Sequence, residues 1–538
     1  MQSEKLHKFL FDYEVELKVV AALGFCFAVS LYGMRWVKKK MILKRISKER
    51  KRRESSLQYM EQMVEKFKKQ NPDMSLQEIL NLSLPELTKK VEDGSIPPDG
   101  VLYSYVAKAL EVNKDVNCVT VFMSDCETQL QDVKKRKQKG LLYGIPVSIK
   151  EHVGYQVICF KKQGAVIFVK TNVPQTLISF ETSNPIYGHT VNPHNHKKGA
   201  SGSTGGEGAL IGGGGSVLGI GTDLGGSIRV PASFCGIAGF KPTTKRLSIQ
   251  GVRPCIDGLL SVQLCIGPMA RDVDSLALCM KALLCDEMFK LDPTVPPLLF
   301  NEEVYLTSKP LRIGYYETDG FTLPNPAMKR VLLETKTLLE EAGHTLIPFK
   351  PPQIDYMLNE LFIKALLGDG GQTLHEKFKN NVADPHLKEM AFLCSIPSAV
   401  KKILSLILRT FEYQTKFIAE WRKLKLDVLL APMLGPAFNT GYPGKLLVTG
   451  SYTMLFNIIE FPAGVVPVGS VTKTDEEELS HYKGHYNDIL DKLFKKAVEG
   501  GVGLPLSVQC VALPYQDELC LRFMKEVETL HQNKKKKA

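Results

Sequence analysis

The sequence lacks the cysteine spacing of metal sites and of disulfide-rich domains. Its twelve cysteines are spread from Cys26 to Cys520, and no two of them form a Cys-x-x-Cys pair. This spacing indicates neither a zinc site nor a disulfide scaffold and favours free thiols in a reducing compartment. The chain has 538 residues, 44% hydrophobic and 23% charged. These values exclude a disordered or fibrous protein and leave either several domains or one large α/β enzyme.

Most of the chain also lacks an excess of positive charge. Residues 35–53 contain eleven Lys or Arg and one Glu, a net charge of +10, and residues 534–537 are four lysines. When these two segments are removed from the total net charge of +12, the remainder of the chain carries −2. Because the basic charge is confined to two segments, we do not expect the main body to bind nucleic acid.

Residues 19–34 form a run of sixteen residues without a charge. As a helix this run would extend about 24 Å, somewhat less than the ~30 Å hydrocarbon core of a bilayer. Lys18 and Arg35 can snorkel, and Trp36 can lie at the interface. We interpret residues 19–34 as a transmembrane segment. The alternatives are a signal peptide, which is disfavoured because the basic cluster follows the apolar run, and a buried helix of a soluble protein.

The positive-inside rule orients this predicted segment. Residues 35–59 form a basic juxtamembrane stretch that would remain cytosolic, which leaves residues 1–18 as a short tail on the other side. A second apolar stretch, residues 391–410, is interrupted by Pro397 and by two lysines, so it is not expected to span. Its apolar residues are flanked by Lys and Arg, which suits a helix lying in the membrane surface. A buried core helix fits the same pattern.

The main body, residues 60–530, shows the alternation of an α/β protein. Residues 54–135 are predicted to be mostly helical. Residues 311–316 predict a strand, a helix then begins at Pro326 and stops at Gly343, and residues 344–349 predict the next strand. Further short apolar runs predict more buried strands. This alternation favours a central sheet covered by helices.

The densest signal for chemistry lies between Gly199 and Gly239, where 15 of the 41 residues are glycine. So much glycine indicates backbone in unusual conformations or in close approach to a ligand. One interpretation is a nucleotide loop. The Walker sequence GK[ST] is absent, however, and residues 219–225 only loosely resemble a dinucleotide fingerprint. That interpretation is weak.

Two further interpretations treat this segment as part of a serine hydrolase. A histidine base is possible in principle, although the G-x-S-x-G sequence is absent, because catalytic triads are defined by geometry. A lysine base requires a lysine that is desolvated enough to be neutral at the working pH. Lys150 ends a predicted buried strand just upstream and is the natural candidate.

These residues carry a resemblance to a known family. The chain resembles the amidase signature family, and more closely its membrane-bound branch that hydrolyses fatty acid amides, in segments such as GLLYGIPVSIKE, GSTGGEGALIG and GTDLGGSIRVPASFCGIAGFKPT. The resembling segments cover most of residues 60–530. The resemblance implies an α/β amidase-signature fold, with a central mixed twisted sheet surrounded by helices, behind an N-terminal transmembrane helix. It also implies no metal, no organic cofactor, a homodimer and an endoplasmic-reticulum location with a cytosolic catalytic domain. The basic tail, residues 531–538, fits a retrieval signal.

The resemblance further implies a Ser-Ser-Lys triad. Ser227 would form an acyl-enzyme, Ser203, expected after a cis peptide, would relay the proton, and Lys150 would be the neutral base. A hydroxyl is a poor nucleophile until a base takes its proton, and an amine leaves only when it is protonated. The other residues that the resemblance implies are Leu224, Gly225, Gly226 and Ser227 for the oxyanion hole, Leu177 and Ser203 for substrate binding, and Ile178, Phe180 and Met454 for the acyl chain.

The chain departs from this family in three places. Thirteen residues separate Lys150 from Gly164, where relatives have a longer connection, and the stretch after Thr410 is also shortened. Ser201 stands where relatives commonly have glycine, and we expect it to need a backbone conformation that glycine tolerates better. Two functions therefore follow: a membrane-bound serine amidase acting on fatty acid amides and N-acylethanolamines, or a catalytically impaired, lipid-binding relative whose site was lost with the connection after Lys150.

Overall fold

The computed structural model describes residues 2–154, 157–256, 259, 261–379, 381–388, 391, 394 and 410–537. For residues 2–17, 19, 20, 157, 410 and 411 it describes the backbone alone. The strands are β1 Val119–Phe122, β2 Pro146–Lys150, β3 Val166–Thr171, β4 Ser183–Asn184, β5 Gly188–His189, β6 Val191–Asn192, β7 Asn195–Gly199, β8 Leu218–Asp223, β9 Ala238–Lys241, β10 Cys265–Ala270, β11 Arg312–Tyr315, β12 Thr345–Pro348, β13 Val428–Pro432, β14 Ala463–Ser470 and β15 Pro505–Ala512.

Eleven of these strands form one mixed sheet, in the order β1-β3-β2-β8-β10-β9-β14-β15-β13-β11-β12. Strand β2 lies between β3 and β8 and is parallel to both. The carboxyl ends of β2 and β8 therefore meet at one edge of the sheet, which is where ligands bind in open α/β sheets. Because β2 ends at Lys150 and β8 ends at Asp223, both residues lie at this edge. Every residue of the two strands is buried.

Helices cover the sheet. They are α1 Gln2–Gln70, α2 Leu76–Leu80, α3 Leu84–Glu92, α4 Pro98–Val116, α5 Cys126–Lys134, α6 Val157–Lys162, α7 Gly205–Gly212, α8 Arg229–Phe234, α9 Val273–Leu283, α10 Asp286–Leu291, α11 Glu302–Leu306, α12 Pro326–Glu341, α13 Ile363–Leu366, α14 Gln372–Lys379, α15 Thr410–Lys423, α16 Ser451–Ile458, α17 Lys473–Leu479, α18 Ile489–Val498 and α19 Asp517–Lys537. A π-helical segment, Tyr356–Phe362, runs directly into α13, and short 3-10 helices cover Gln175–Leu177, Pro385–Leu387, Pro443–Lys445 and Leu447–Gly450.

The predicted strand–helix–strand unit is confirmed as β11, α12 and β12. The side chain of Asn325 accepts a hydrogen bond from the N–H of Met328 and so caps the helix that Pro326 begins. The prediction that residues 54–135 are mostly helical is confirmed by α1 to α5, and one strand, β1, also lies within that range. Its sequence VTVF contains three β-branched residues and one aromatic residue, and it pairs with β3 at the edge of the sheet.

Helix α1 is anchored to the body by its basic residues. Arg50 Nη2 donates to the carbonyl oxygen of Pro185 at 2.7 Å, and Arg53 Nη2 donates to Asn117 Oδ1 at 2.6 Å. In the described part of α1 that precedes these contacts, apolar side chains are exposed, among them Phe25 at 71%. The basic segment that raised the net charge is therefore partly structural, since it attaches the helix to the body.

Among the described residues, no helix combines the length and the apolar character that crossing a membrane requires. The predicted transmembrane segment at residues 19–34 is therefore not confirmed. The uncharged run is only sixteen residues long, and Lys18 and Arg35 flank it directly. The predicted membrane-surface helix at residues 391–410 falls almost wholly outside the described residues.

Candidate active site

The site is built around Lys150, the last residue of β2. Its side chain is fully buried. The Nζ atom lies 2.8 Å from Ser203 Oγ, 2.9 Å from Thr204 Oγ1, 2.9 Å from Thr222 Oγ1 and 3.4 Å from the Thr222 carbonyl oxygen. All four contacts are to neutral oxygens. The amine is therefore enclosed by dipoles and makes no direct ion pair with these neighbours.

This environment favours the neutral form of the amine. Burial lowers the pKa of Lys150 to about 7, and the negative charge of Asp223 nearby offsets only part of that effect. Desolvation penalises the charged form because the ammonium loses its hydration and gains no carboxylate in contact. A large fraction of Lys150 is thus unprotonated near neutral pH, which is what a lysine base requires.

Two loops place serines beside this amine. Ser203 follows a cis peptide bond from Gly202, as the resemblance implied, and precedes α7. Ser227 lies in the turn between β8 and α8, and its carbonyl oxygen accepts a hydrogen bond from the N–H of Thr204 at 3.2 Å. Ser203 and Ser227 line one small cavity of about 30 Å³. The structure therefore brings together all three residues of the predicted triad.

A buried ion pair holds the turn that carries Ser227. Arg229 donates to the Asp223 carboxylate through Nε and Nη2, each at 3.0 Å, and to Asn457 Oδ1 at 2.6 Å. Asp223 also accepts from the N–H of Gly226 at 2.7 Å and of Ile228 at 3.1 Å. Burial by itself would raise the pKa of Asp223, but the Arg229 guanidinium and, to a lesser degree, the side-chain amide N–H of Asn457 hold it well below its usual range. The turn is thus clamped at both ends.

The contact of Asp223 with Gly226 corrects the predicted oxyanion hole. The Gly226 N–H is already used by the carboxylate, so it is not free for a substrate oxygen. The N–H groups of Leu224, Gly225 and Ser227 have no acceptor in the part of the chain that the structure describes, and they remain the candidates. Gly226 has φ of +123°, and a Cβ there would meet Thr453 Oγ1 at 2.3 Å, so this position requires glycine.

The predicted acyl-chain residues meet on the other side of Ser227. A second cavity, also of about 30 Å³, is lined by Ser227 and by all four predicted apolar residues, Leu177, Ile178, Phe180 and Met454. Phe362 and Leu366, from the π-helical segment and α13, complete this wall. Ser227 thus has a polar side toward Lys150 and an apolar side toward this cavity, which suits a substrate with a long apolar chain.

A second buried acid lies under the site. Glu207 on α7 accepts from Ser148 Oγ at 2.5 Å and from Thr171 Oγ1 at 2.8 Å. Burial raises its pKa to about 8, although both hydroxyls and Lys150 act in the opposite direction. The carboxyl is therefore largely protonated near pH 7. This leaves the pKa of Lys150 set mainly by burial.

The shortened connection after Lys150 does not displace it. The N–H of Glu151 donates to the Thr171 carbonyl at 3.2 Å, and the N–H of Val153 donates to the Lys150 carbonyl at 2.9 Å. Strand pairing on both sides of β2 supplies the rest of the support. The shortened connection therefore leaves Lys150 in place, because the lysine is held by its strand rather than by the connection.

The expectation for Ser201 is confirmed. Its φ is +65°, in the left-handed region that favours glycine. Its Oγ atom is buried and has no hydrogen-bond partner among the described residues.

Sequence reasoning missed several residues of the site: Thr204, Thr222, Asp223, Arg229, His152, Cys255, Phe362, Leu366 and Asn457. One signal was available for the ion pair, since Asp223 and Arg229 are charged residues inside an otherwise apolar, glycine-rich stretch. Charged residues are rarely buried unless they are paired. Within the described ranges, no group of three or more His, Cys, Asp or Glu side chains could hold a metal ion.

Comparisons with known proteins agree with this geometry. A sequence model of the Amidase family matches residues 155–521, beginning just after Lys150. Fatty-acid amide hydrolase 1 of Sus scrofa is 47% identical over 558 aligned residues, which cover 95% of this chain and 96% of that protein. The vitamin D3 hydroxylase-associated protein of Gallus gallus is 49% identical, over 76% of this chain and 93% of that protein.

The fold shows the same relationship. A solved structure of a fatty acid amide hydrolase superposes with a TM-score of 0.79 at 25% identity, covering 92% of this chain and 96% of that one. The chain therefore belongs to the amidase signature family and is a carbon–nitrogen hydrolase that cleaves amides.

Proposed function

We propose that this chain is a membrane-associated serine amidase that hydrolyses fatty acid amides, including N-acylethanolamines, through Ser227, Ser203 and Lys150. The observation that carries the proposal is the buried Lys150 amine, 2.8 Å from Ser203 Oγ, at a cavity that Ser203 shares with Ser227. The substrate class is supported by the similarity to the Sus scrofa fatty-acid amide hydrolase 1 and by the apolar cavity beside Ser227.

The geometry supports an acyl-enzyme mechanism. The neutral amine of Lys150 takes the proton of Ser203, and Ser203 takes the proton of Ser227. As Ser227 loses its proton, its Oγ forms a bond to the amide carbonyl carbon. The N–H groups of Leu224, Gly225 and Ser227 stabilise the resulting oxyanion; losing one such donor typically costs ~3 kcal/mol of barrier. The proton returns through Ser203 to the nitrogen, the C–N bond breaks and the amine leaves. Water then hydrolyses the ester by the same relay.

Substrate recognition follows from the two sides of Ser227. The cavity formed by Leu177, Ile178, Phe180 and Met454 would take the first carbons of an acyl chain, each buried CH₂ contributing about 0.8 kcal/mol. The leaving amine would lie on the side of Thr222 and Cys255. Long-chain amides should therefore be preferred over acetamide through the acyl side alone.

Membrane association is supported by helix α1. Its described side chains include exposed Leu23, Phe25, Phe27 and Tyr32, at 65%, 71%, 67% and 74%, and the basic stretch follows directly. Exposed apolar groups next to basic residues bind anionic lipid surfaces. The endoplasmic-reticulum location, the cytosolic catalytic domain and the homodimer remain predictions from the resemblance.

Two measurements on the purified full chain test the catalytic proposal. We expect release of ammonia and oleic acid from oleamide, and covalent labelling by a fluorophosphonate probe, with both lost in Ser227→Ala. Ser233→Ala is the matched control, because Ser233 is also a buried serine near this loop but on α8, outside both cavities. Folded wild-type protein that is neither labelled nor active would instead support the lipid-binding alternative.

A flotation assay tests the membrane proposal separately. The full chain should float with vesicles that contain phosphatidylserine, and a variant lacking residues 1–34 should float less while retaining the basic residues. Equal flotation of both proteins would show that the apolar part of α1 does not contribute.

A further inference from the structure

His152 lies two residues after Lys150 and has no role in the mechanism above. Its imidazole lines the cavity that contains Ser203 and Ser227. Nε2 lies 3.3 Å from Thr222 Oγ1, which itself lies 2.9 Å from Lys150 Nζ. Nδ1 is inaccessible to solvent and has no partner among the described residues. The imidazole is thus connected to the base of the reaction through a single hydroxyl.

Counting protons around a neutral Lys150 fixes the direction of these hydrogen bonds. A neutral amine has one lone pair and two N–H groups. If the lone pair accepts from Ser203, the two N–H groups donate to Thr204 Oγ1 and Thr222 Oγ1, both at 2.9 Å. The Thr204 hydroxyl in turn donates a hydrogen bond to the Thr222 carbonyl oxygen at 3.2 Å.

The hydroxyl proton of Thr222 then needs an acceptor of its own. Among the described residues, Thr222 Oγ1 has two side-chain partners, Lys150 Nζ and His152 Nε2. A neutral imidazole accepts at one ring nitrogen and carries its proton on the other. Burial lowers the pKa of His152 well below its usual value, so the ring is neutral.

We propose that His152 is a positioning residue: by accepting the Thr222 hydroxyl proton at Nε2, it keeps the lone pair of Lys150 directed at Ser203. This inference rests on the proposed Ser-Ser-Lys mechanism. Without His152 as acceptor, the Thr222 hydroxyl has one other side-chain partner among the described residues, the lone pair of Lys150. The Thr222 hydroxyl then competes with Ser203 for that lone pair. A base whose lone pair is occupied by a bystander hydroxyl does not start the relay.

A near-isosteric pair of variants tests this role. His152→Gln supplies a carbonyl acceptor close to the position of Nε2, and His152→Met has similar length and no comparable acceptor. With oleamide as substrate, we expect His152→Met to lower kcat roughly 10-fold with KM within about two-fold, and His152→Gln to recover most of the loss. Equal activities of the two variants, or full activity of His152→Met, would overturn the proposal.

A double-mutant cycle separates positioning from packing. Thr222→Val removes the competing proton, so adding His152→Met to that variant should cause little further loss of kcat. If the two losses multiply instead, His152 acts through packing and the proposal fails. Failure of the proposed function would look different, because wild-type enzyme would then be inactive and unlabelled at Ser227. If the positioning role alone is wrong, wild-type enzyme stays active, and the variants of His152 and Thr222 show it.

Discussion

The molecule buries two basic side chains at its candidate active site, Lys150 and Arg229, in opposite electrostatic environments. Lys150 is surrounded by hydroxyl and carbonyl oxygens, and its pKa falls to about 7. Arg229 donates to the carboxylate of Asp223 at 3.0 Å and to the amide oxygens of Asn457 and Gln509 at 2.6 and 2.7 Å. One cation is desolvated without a counterion, and the other is fully paired.

The difference shows how burial produces a base in one place and a clamp in another. Neutral dipoles recover only part of the hydration free energy that an ammonium loses, so the lysine releases its proton. A buried carboxylate restores the lost interaction, so the pair stays charged and resists separation. The first group can take a proton during the reaction, and the second fixes the turn that presents Ser227.

The largest effect on activity should come from removing the amine of Lys150. Lys150→Met keeps the length of the side chain and removes the base, and since general base catalysis contributes 10²–10⁴-fold, we expect kcat/KM for oleamide to fall by about 10³-fold. Amine release measures the change. Activity within tenfold of wild type would show that another group is the base.

Lys198→Met is the matched control for this variant. Lys198 is also almost completely buried, at 1%, but it donates to the Glu499 carbonyl at 2.6 Å, away from both cavities. Its removal should lower the free energy of unfolding and leave kcat/KM within about two-fold of wild type, because no reacting group touches it. A comparable loss of activity in both variants would mean that removing any buried lysine lowers activity, and that the loss in Lys150→Met does not identify a base.

The next effect concerns the paired cation. Asp223→Asn keeps the shape of the side chain but leaves the Arg229 charge without a counterion. Breaking a buried pair by removing one partner costs about 3–5 kcal/mol, so the free energy of unfolding should fall by about that amount. Denaturant titration at fixed pH measures it. A change below about 1 kcal/mol would show that Asn457 and Gln509 suffice to stabilise the guanidinium.

The pH dependence of kcat/KM should follow the protonation of Lys150. Protonated Lys150 cannot accept a proton, so kcat/KM should rise about tenfold per pH unit below pH 7 and level off above it. Burial raises the pKa of the neighbouring Cys255 thiol to about 11, so it does not titrate in this range. The residual activity of Lys150→Met should lack the rise. A rise that persists in that variant would assign the titration to another residue.

Sequence reasoning could find the candidate triad but not the contacts that hold it. Lys150, Ser203 and Ser227 were predicted from segments that resemble a family, and the strand–helix–strand unit from periodicity and capping residues. The partners of Arg229 come from positions 223, 457 and 509, which only the order of the strands brings together. A pattern within one segment carries no information about such contacts.

Two further contacts of the site were also missed by sequence reasoning. The N–H of Gly226 was assigned to the oxyanion hole because glycine allows its amide to turn, but the carboxylate of Asp223, three residues earlier, already binds it. The lipid-binding alternative supposed a site lost with the shortened connection, but pairing of β2 with β3 and β8 holds Lys150. The first contact depends on the local conformation of the turn, and the second on strands from other parts of the chain.

A third buried polar side chain, Ser201, has no hydrogen-bond partner among the described residues. Its substitution should have the smallest effect on stability. Ser201→Gly should raise the free energy of unfolding by about 1 kcal/mol, because it relieves a left-handed backbone worth ~1–2 kcal/mol and removes an unpaired hydroxyl. The larger entropy of a glycine in the unfolded chain offsets roughly 0.5–1 kcal/mol of this gain. Thermal unfolding measures the net change, and Ser248→Gly, at a buried serine outside both cavities, is the control and should destabilise. A lower stability of Ser201→Gly would mean that the Ser201 hydroxyl has a partner in solution, and all three buried polar groups would then be satisfied.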